Sequence, residues 1–219
     1  SSPIVVGDRV FVTCYSGYGL PGGPAGDMDQ LKRHLVCLNG ADGKTLWNKV
    51  VPAKLPELPY EGHMQQHGYA PSTPAGDGER VYAFFGKSGV FAFDHNGRQL
   101  WQADVGSGTH PWCGPSPILY KDLLIVNAGV ESGSLVALDK KTGKEQWRAG
   151  DIRYSYNTPI LVELPAGKTE LVIEIGGGGE AGRGKVLGFD PDTGQLLWSC
   201  AGDDGYICAS TVASGGVIY

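Results

Sequence analysis

The sequence predicts an all-β fold, a β-propeller of four-stranded antiparallel blades, from three observations. A tryptophan follows a glycine by four residues at four places, each time after an apolar run that ends in Asp or Asn. The intervals between the four tryptophans are 54, 46 and 51 residues, the spacing of a repeated structural unit. Glycine accounts for 35 of 219 residues, about twice its usual share, as expected of a chain rich in turns.

The repeated residues are predicted to be architectural. Glycine permits the positive φ of a tight hairpin, and tryptophan offers a large apolar face for packing one sheet on the next. The Asp or Asn before each turn is expected to accept hydrogen bonds from turn amides. The glycines are Gly43, Gly97, Gly143 and Gly194, the tryptophans are Trp47, Trp101, Trp147 and Trp198, and the turn residues are Asn39, Asp94, Asp139 and Asp190.

The second copy of the unit shows how each blade is built. Residues 72–74 open a first strand, and β-rich runs follow at 81–85, 90–93 and 98–103. Gly or Asn-Gly stands at each reversal, which is typical of antiparallel hairpins. Four short strands in about 45 residues predict one propeller blade.

The whole chain, residues 1–219, is therefore interpreted as one partial propeller domain. The predicted blades are approximately 1–51, 70–106, 114–150 and 156–202, with a partial fifth at 207–219. An open arc would leave sheet edges exposed, so we expect a fragment of a seven- or eight-bladed ring. Closure into a small ring and pairing with another chain are the alternatives.

The pattern Leu/Phe-Asp-x-x-Thr-Gly-x-x-x-Trp, at residues 138–147 and 189–198, resembles the bacterial pyrroloquinoline-quinone-type (PQQ-type) repeat. The first copy lacks the threonine, and the second is one residue shorter. The resemblance implies either a quinoprotein dehydrogenase or a non-catalytic relative such as the BamB-like lipoproteins of outer-membrane assembly. It also implies a periplasmic or cell-envelope location. The fold alone does not choose between these functions.

Function is expected where the segments entering each first strand meet at the central channel. Aligned on the proline that opens each blade, these segments place aromatic residues at one position and two histidines at another. The predicted channel rim consists of His67, Tyr69, His110, Trp112, Tyr154 and Tyr156. Packing of the aromatic rings beneath the loops is the alternative to a stacking platform.

No metal site or catalytic residue is identified in the sequence. The two histidines lack further ligands, with His63 the nearest, so a structural role is favoured over a metal pair. The acidic residues Glu174, Glu180, Asp203 and Asp204 do not have the spacing of a calcium loop. No cofactor is therefore expected in this chain, and PQQ with calcium is the alternative that the resemblance implies.

The five cysteines do not predict a structural disulfide. Cys37 replaces an alanine of the repeat, and Cys14 is expected to lie diagonal to it on the neighbouring strand, in poor geometry for a bond. Quinoprotein alcohol dehydrogenases commonly carry an adjacent Cys-Cys disulfide over the cofactor. No two cysteines are adjacent here.

Charge and apolar pattern exclude other classes. The net charge of −5 and the dispersed Lys and Arg residues argue against a nucleic-acid surface, and no apolar run is long enough for a membrane span. Three long segments, residues 16–33, 52–66 and 176–184, interrupt the repeat, and long loops on a rigid scaffold are frequent binding elements. The glycine-rich segment lacks the Lys-Ser/Thr end of a phosphate loop.

Three functions remain, of which the sequence favours the first. This is a non-catalytic scaffold that binds a protein, peptide or small ligand through its loops and channel mouth. The second is a PQQ-dependent alcohol or sugar dehydrogenase. The third is a sugar or small-molecule sensor that uses the aromatic rim of Tyr69, Trp112 and Tyr154.

Overall fold

The computed structural model describes residues 1–111, 114–164, 167–177, 183–215 and 217–219. Their strands form four-stranded antiparallel sheets in which consecutive strands pair. The first sheet contains β1 (Ile4–Val6), β2 (Arg9–Ser16), β3 (Lys32–Asn39) and β4 (Thr45–Pro52). The second contains β5 (Ala75–Gly76), β6 (Arg80–Phe84), β7 (Val90–Asp94) and β8 (Gln99–Ala103).

Two further sheets repeat this order. The third contains β9 (Ile118–Tyr120), β10 (Leu123–Ala128), β11 (Ser134–Asp139) and β12 (Glu145–Ala149), and the fourth β13 (Ile160–Glu163), β14 (Thr169–Ile175), β15 (Lys185–Phe189) and β16 (Leu196–Ala201). A hairpin of β17 (Ala213–Ser214) and β18 (Val217–Ile218) follows. One-turn α-helices α1 (Met64–His67) and α2 (Gly129–Ser132), and 3-10 turns at Met28–Gln30 and Gly86–Ser88, complete the described elements. The predicted all-β class is confirmed.

The chain forms two compact units, Ser1–Pro117 with the first two sheets and Ile118–Tyr219 with the rest. Each unit has its own apolar core, in which alternate residues of the strands face inward. In the first unit Phe11 and Leu35 are fully buried, and in the second Ile125 and Ile173 are. Burial of each such side chain contributes roughly 1.5–3 kcal/mol to folding. The sheets' membership of one ring stays a prediction.

The repeated glycine and tryptophan fit one another across consecutive sheets. The indole Nε1 of Trp47 donates to the carbonyl of His95 at 2.9 Å, in the turn between β7 and β8. A Cβ on Gly97 in that turn would lie 2.9 Å from the Trp47 ring. In the second unit Trp147 donates to the carbonyl of Pro191 at 3.1 Å, and a Cβ on Gly194 would approach its ring to 2.5 Å.

Glycine is therefore required at Gly97 and Gly194 for two reasons: the backbone has a positive φ, and the tryptophan ring above leaves no room for a Cβ. The φ angles are +81° at Gly97 and +72° at Gly194, and Gly43 and Gly143 share this conformation. The other two tryptophans have contacts within their own sheets. Trp101 packs against Tyr82, and Trp198 donates to the Glu170 carboxylate at 2.6 Å.

The predicted turn contacts are confirmed at all four Asp or Asn positions. Asn39 Oδ1 accepts from Ala41 N. The carboxylates of Asp94, Asp139 and Asp190 likewise accept from the backbone amide two residues further on. For Asp94 the hydrogen bond from the Arg98 amide is the main cause of a lowered pKa. For Asp139 the Thr142 hydroxyl is the main cause of a lowered pKa.

Two details of the first sheet differ from the sequence-based prediction. The loop predicted over residues 16–33 is shorter in the structure, because β3 already begins at Lys32 and includes Arg33. Cys37 pairs with Phe11 and is buried, whereas Cys14 pairs with His34 and is exposed, so the two thiols lie on opposite faces rather than diagonally on one. Cys14, Cys37, Cys200 and Cys208 are free, and Cys113 lies outside the described residues.

Candidate functional site

The segment between β4 and β5 is fixed to the first unit by a buried arginine. Arg33 on β3 donates from Nε to the Tyr69 carbonyl at 2.8 Å and from Nη1 to Ser88 Oγ at 2.8 Å. Its Nη2 forms an ion pair with Glu57 at 2.5 Å, and only 5% and 8% of the two side chains are exposed. Arg33 thus uses its three nitrogens on three separate segments, with charge-assisted bonding to Glu57.

The predicted rim residue Tyr69 lies inside an aromatic cluster beneath the same segment. Its ring contacts those of Tyr15, Tyr18 and Tyr60, with centroids 5.5–6.4 Å apart. Its hydroxyl donates to the Leu58 carbonyl at 2.8 Å, and burial raises its pKa. Because Tyr69 is only 3% exposed, its face is used for packing rather than offered to a ligand.

These contacts hold residues 53–66, hereafter the anchored loop, against the sheets. Ser88 Oγ accepts from Lys54 N at 2.9 Å, and Lys87 Nζ donates to the Pro56 carbonyl. The Tyr18 hydroxyl accepts from Tyr60 N at 3.2 Å. The outer surface of the loop is exposed at Lys54, Leu55, Pro56, Pro59, Glu61, Gln65 and Gln66. The anchored loop combines a fixed backbone with an accessible surface.

The two rim histidines lie in different environments. His67 is the last residue of α1 and is exposed, whereas His110 is half-buried and burial lowers its pKa. Within the described ranges, no group of three or more His, Cys, Asp or Glu residues could hold a metal ion. Trp112, predicted as part of the same rim, lies outside the described residues.

The second unit brings two predicted rim tyrosines together around a third that the sequence analysis missed. Tyr206 contacts Tyr154 edge-to-face at 5.8 Å and Tyr156 at 6.1 Å between ring centroids. Tyr154 and Tyr206 are 40% and 57% exposed, whereas Tyr156 is buried. Tyr206 belongs to the segment that precedes the partial fifth blade, so its aromatic character was a usable signal.

A buried polar network supports this tyrosine group. Asn127 Nδ2 donates to the Asn157 carbonyl at 2.9 Å and to Ser155 Oγ at 3.1 Å. Asn157 Nδ2 donates to the Glu174 carbonyl at 2.7 Å. Asn157 Oδ1 is buried and accepts no hydrogen bond within the described part of the chain. The network fixes the backbone of residues 155–157 beside the exposed rings.

A family model described as outer membrane protein assembly factor BamB matches residues 1–162. Among curated proteins, 1-butanol dehydrogenase (quinone) of Thauera butanivorans is 30% identical over 150 residues, covering 63% of this chain and 24% of that protein. Quinoprotein alcohol dehydrogenase PedH of Pseudomonas putida is 32% identical over 131 residues, covering 55% and 21%. The chain thus spans about a quarter or less of these relatives.

A likeness to solved structures supports the fold. The quinohemoprotein alcohol dehydrogenase from Comamonas testosteroni superposes with a TM-score of 0.63 at 13% identity, covering 99% of this chain and 38% of that one. Europium-containing methanol dehydrogenase superposes with a TM-score of 0.58 at 17% identity, covering 90% and 40%. Among the described residues, no helix has the length and apolar character needed to cross a membrane.

Proposed function

We propose that this chain, which belongs to the family described as outer membrane protein assembly factor BamB, is part of a non-catalytic scaffold that binds another protein. The observation that carries the proposal is the buried Arg33–Glu57 pair beneath the anchored loop. The exposed surface of that loop is the proposed contact. The partner class is a protein or peptide, and the proposed location is the periplasm or cell envelope.

The physical argument rests on what a buried ion pair does. Removing two charges from water is costly, and their attraction often only offsets that cost. In this chain we infer that the pair serves to specify one loop conformation, because Arg33 also bonds Ser88 and the Tyr69 carbonyl. A loop that is ordered before binding loses less conformational entropy when a partner binds. Such a loop is suited to recognition.

Site-specific photocrosslinking tests this function in the full-length protein in cells. A photoreactive amino acid replaces Leu55 or Gln66 on the anchored loop, and Lys144, exposed in the turn before β12, serves as the control position. We expect one discrete protein adduct from the loop positions and none from the control. Absence of adducts, or the same adducts from all three positions, would refute the loop as the contact.

A quinone-dependent dehydrogenase is the second candidate, favoured by the names of the curated relatives. The second unit has groups that suit a planar quinone and an oxygen-bound cation: the exposed ring of Tyr206 would stack on the quinone, and Asn157 Oδ1 would contribute an oxygen ligand. When bound, such a quinone supplies the two-electron oxidant. In the first unit, the buried Tyr69 does not fit a stacking role.

A further inference from the structure

Three polar side chains of the first sheet form a hydrogen-bonded group, hereafter the polar triad. Ser16 Oγ lies 2.7 Å from His34 Nε2, and His34 Nδ1 lies 3.0 Å from Asn48 Oδ1. The three residues belong to the adjacent strands β2, β3 and β4. Because successive side chains of a strand alternate between its faces, the triad lies on the face opposite the core residues Phe11 and Leu35.

The amide oxygen of Asn48 determines which imidazole nitrogen carries the proton. An amide oxygen only accepts hydrogen bonds, so His34 Nδ1 is the donor and bears the hydrogen. In the neutral ring, Nε2 is then unprotonated and accepts from the Ser16 hydroxyl. The triad therefore has the order of nucleophile, general base and orienting group that activates a hydroxyl for acyl transfer.

The contact of Ser16 differs from those of two other hydroxyls in the first unit. Ser1 Oγ donates to the Thr13 carbonyl at 2.8 Å, and Thr13 Oγ1 donates to the Ser72 carbonyl at 2.6 Å. A backbone carbonyl satisfies the hydroxyl but does not take its proton at neutral pH, whereas an imidazole can. Ser16 thus has a proton acceptor at hydrogen-bond distance.

Lys32 and Val50 lie beside the triad on the same face of the sheet. Lys32 is exposed and pairs with Ser16 in the strand register, and no described residue forms an ion pair with it. Val50 pairs with His34 and is 51% exposed. Directly paired residues have Cβ atoms about 4.5–5.5 Å apart. The ammonium can therefore stabilise negative charge on a carbonyl oxygen beside Ser16, and Val50 offers apolar contact to a short chain.

We propose that Ser16 is a modification site that accepts a short aliphatic acyl group from an activated ester. Ser16 Oγ forms a bond to the ester carbonyl carbon while its proton moves to His34 Nε2. The bond from that carbon to the leaving oxygen then breaks, and His34 returns the proton to the leaving alcohol. This reaction modifies the chain itself and uses no residue of the anchored loop, so it goes beyond the scaffold function and does not depend on it.

Reaction of the full-length protein with p-nitrophenyl butyrate tests the proposal. We expect a burst of nitrophenolate stoichiometric with the protein, and a butyryl group that peptide mass spectrometry locates on Ser16. Ser16→Ala should abolish both signals, and His34→Gln should slow acylation at least about 100-fold, because the general base is lost. Cys14→Ala, which changes the residue paired with His34 but leaves the triad intact, should react as the wild type does.

Variants of Asn48 separate a positioning role from a merely structural one. Asn48→Ala should slow acylation at least about tenfold, because the imidazole is no longer held in the required tautomer. Asn48→Asp should restore most of the rate, since a carboxylate also accepts from Nδ1. An Asn48→Asp variant as slow as Asn48→Ala would overturn this role.

Two measurements on the wild type do not depend on whether any variant folds. The proposal is overturned if the butyryl group is found on lysine or cysteine side chains and not on Ser16. It is also overturned if urea-unfolded protein is acylated at Ser16 as fast as folded protein, because the triad exists only in the folded sheet.

Discussion

Arg33 and Glu57 form an ion pair at 2.5 Å in which both side chains are almost fully removed from solvent. The pair joins β3 of the first sheet to the anchored loop, and its two residues are 24 positions apart in the sequence. Arg33 extends the connection to Ser88 and to the Tyr69 carbonyl. Arg33 is thus one of several residues that fix the loop, and the one that carries a buried charge, so its removal should affect both stability and binding.

Replacement of one partner of this pair should be strongly destabilising. Arg33→Met leaves the Glu57 carboxylate buried without its cation, and we expect a loss of about 3–5 kcal/mol in the free energy of unfolding, measured by chemical denaturation. The double variant Arg33→Met with Glu57→Leu should recover much of this loss, because no buried charge remains. As a control, Lys44→Met breaks an exposed pair with Asp42 and should cost less than about 1 kcal/mol. Equal losses in the Arg33 and Lys44 variants would contradict the role of burial.

The fit between glycine and tryptophan predicts unequal effects at two positions of the same motif. Gly43→Ala meets no atom within 4 Å and should cost only the strain of positive φ, roughly 1–2 kcal/mol. Gly97→Ala meets the Trp47 ring, which is held by its bond to His95, and should cost roughly 1–3 kcal/mol more. Thermal unfolding of the two variants compares them. Similar losses would mean that the ring does not restrict Gly97.

Glu170 should make stability depend on pH. The ammonium of Lys168, and then the Trp198 indole, lower the pKa of this carboxyl below its usual 4.5. A lowered pKa in the folded state adds stability above the unfolded value and loses it as pH falls through the folded value. The stability difference between wild type and Glu170→Gln should thus be constant above about pH 5.5 and shrink below about 4.5.

A second variant tests the cause of that pKa. Trp198→Phe removes the indole donor but keeps an aromatic ring. In that background, the pH-dependent part of the stability lost on Glu170→Gln should be smaller than in the wild type, because only Lys168 still donates to the carboxylate. Urea denaturation at a series of pH values measures both variants. A Glu170→Gln difference that does not change with pH would show that the carboxyl gains nothing from these donors.

Much of the fold could be predicted because short sequence patterns within each repeat determine the local structure. The turn carboxylates, the positive φ of the motif glycines and the strand order all follow from short sequence patterns, and the structure has them. The fit of Trp47 over Gly97 could not be predicted, because it joins residues of two sheets. The interval between motifs indicates that the sheets repeat, whereas only the packed structure shows which tryptophan ring covers which turn.

The candidate site was less predictable, for a physical reason. Arg33 lies in a segment predicted as a loop, yet it extends β3 and turns inward, and no local pattern marks a buried arginine whose partner is Glu57. Alignment on the blade-opening proline identified Tyr69 and Tyr154 as equivalent, but one is buried and the other exposed. Equivalent positions in a repeat share backbone geometry, whereas their exposure depends on the loops around them.

The most direct test of the scaffold function is titration of the full-length protein with PQQ in the presence of calcium or europium, followed by cofactor absorbance and dye-linked oxidation of 1-butanol. The scaffold function predicts no stoichiometric quinone binding and no dye reduction above the protein-free rate. Stoichiometric binding with turnover, weakened by Tyr206→Ser but not by Tyr219→Ser, an exposed tyrosine outside the rim, would contradict it and establish the dehydrogenase instead.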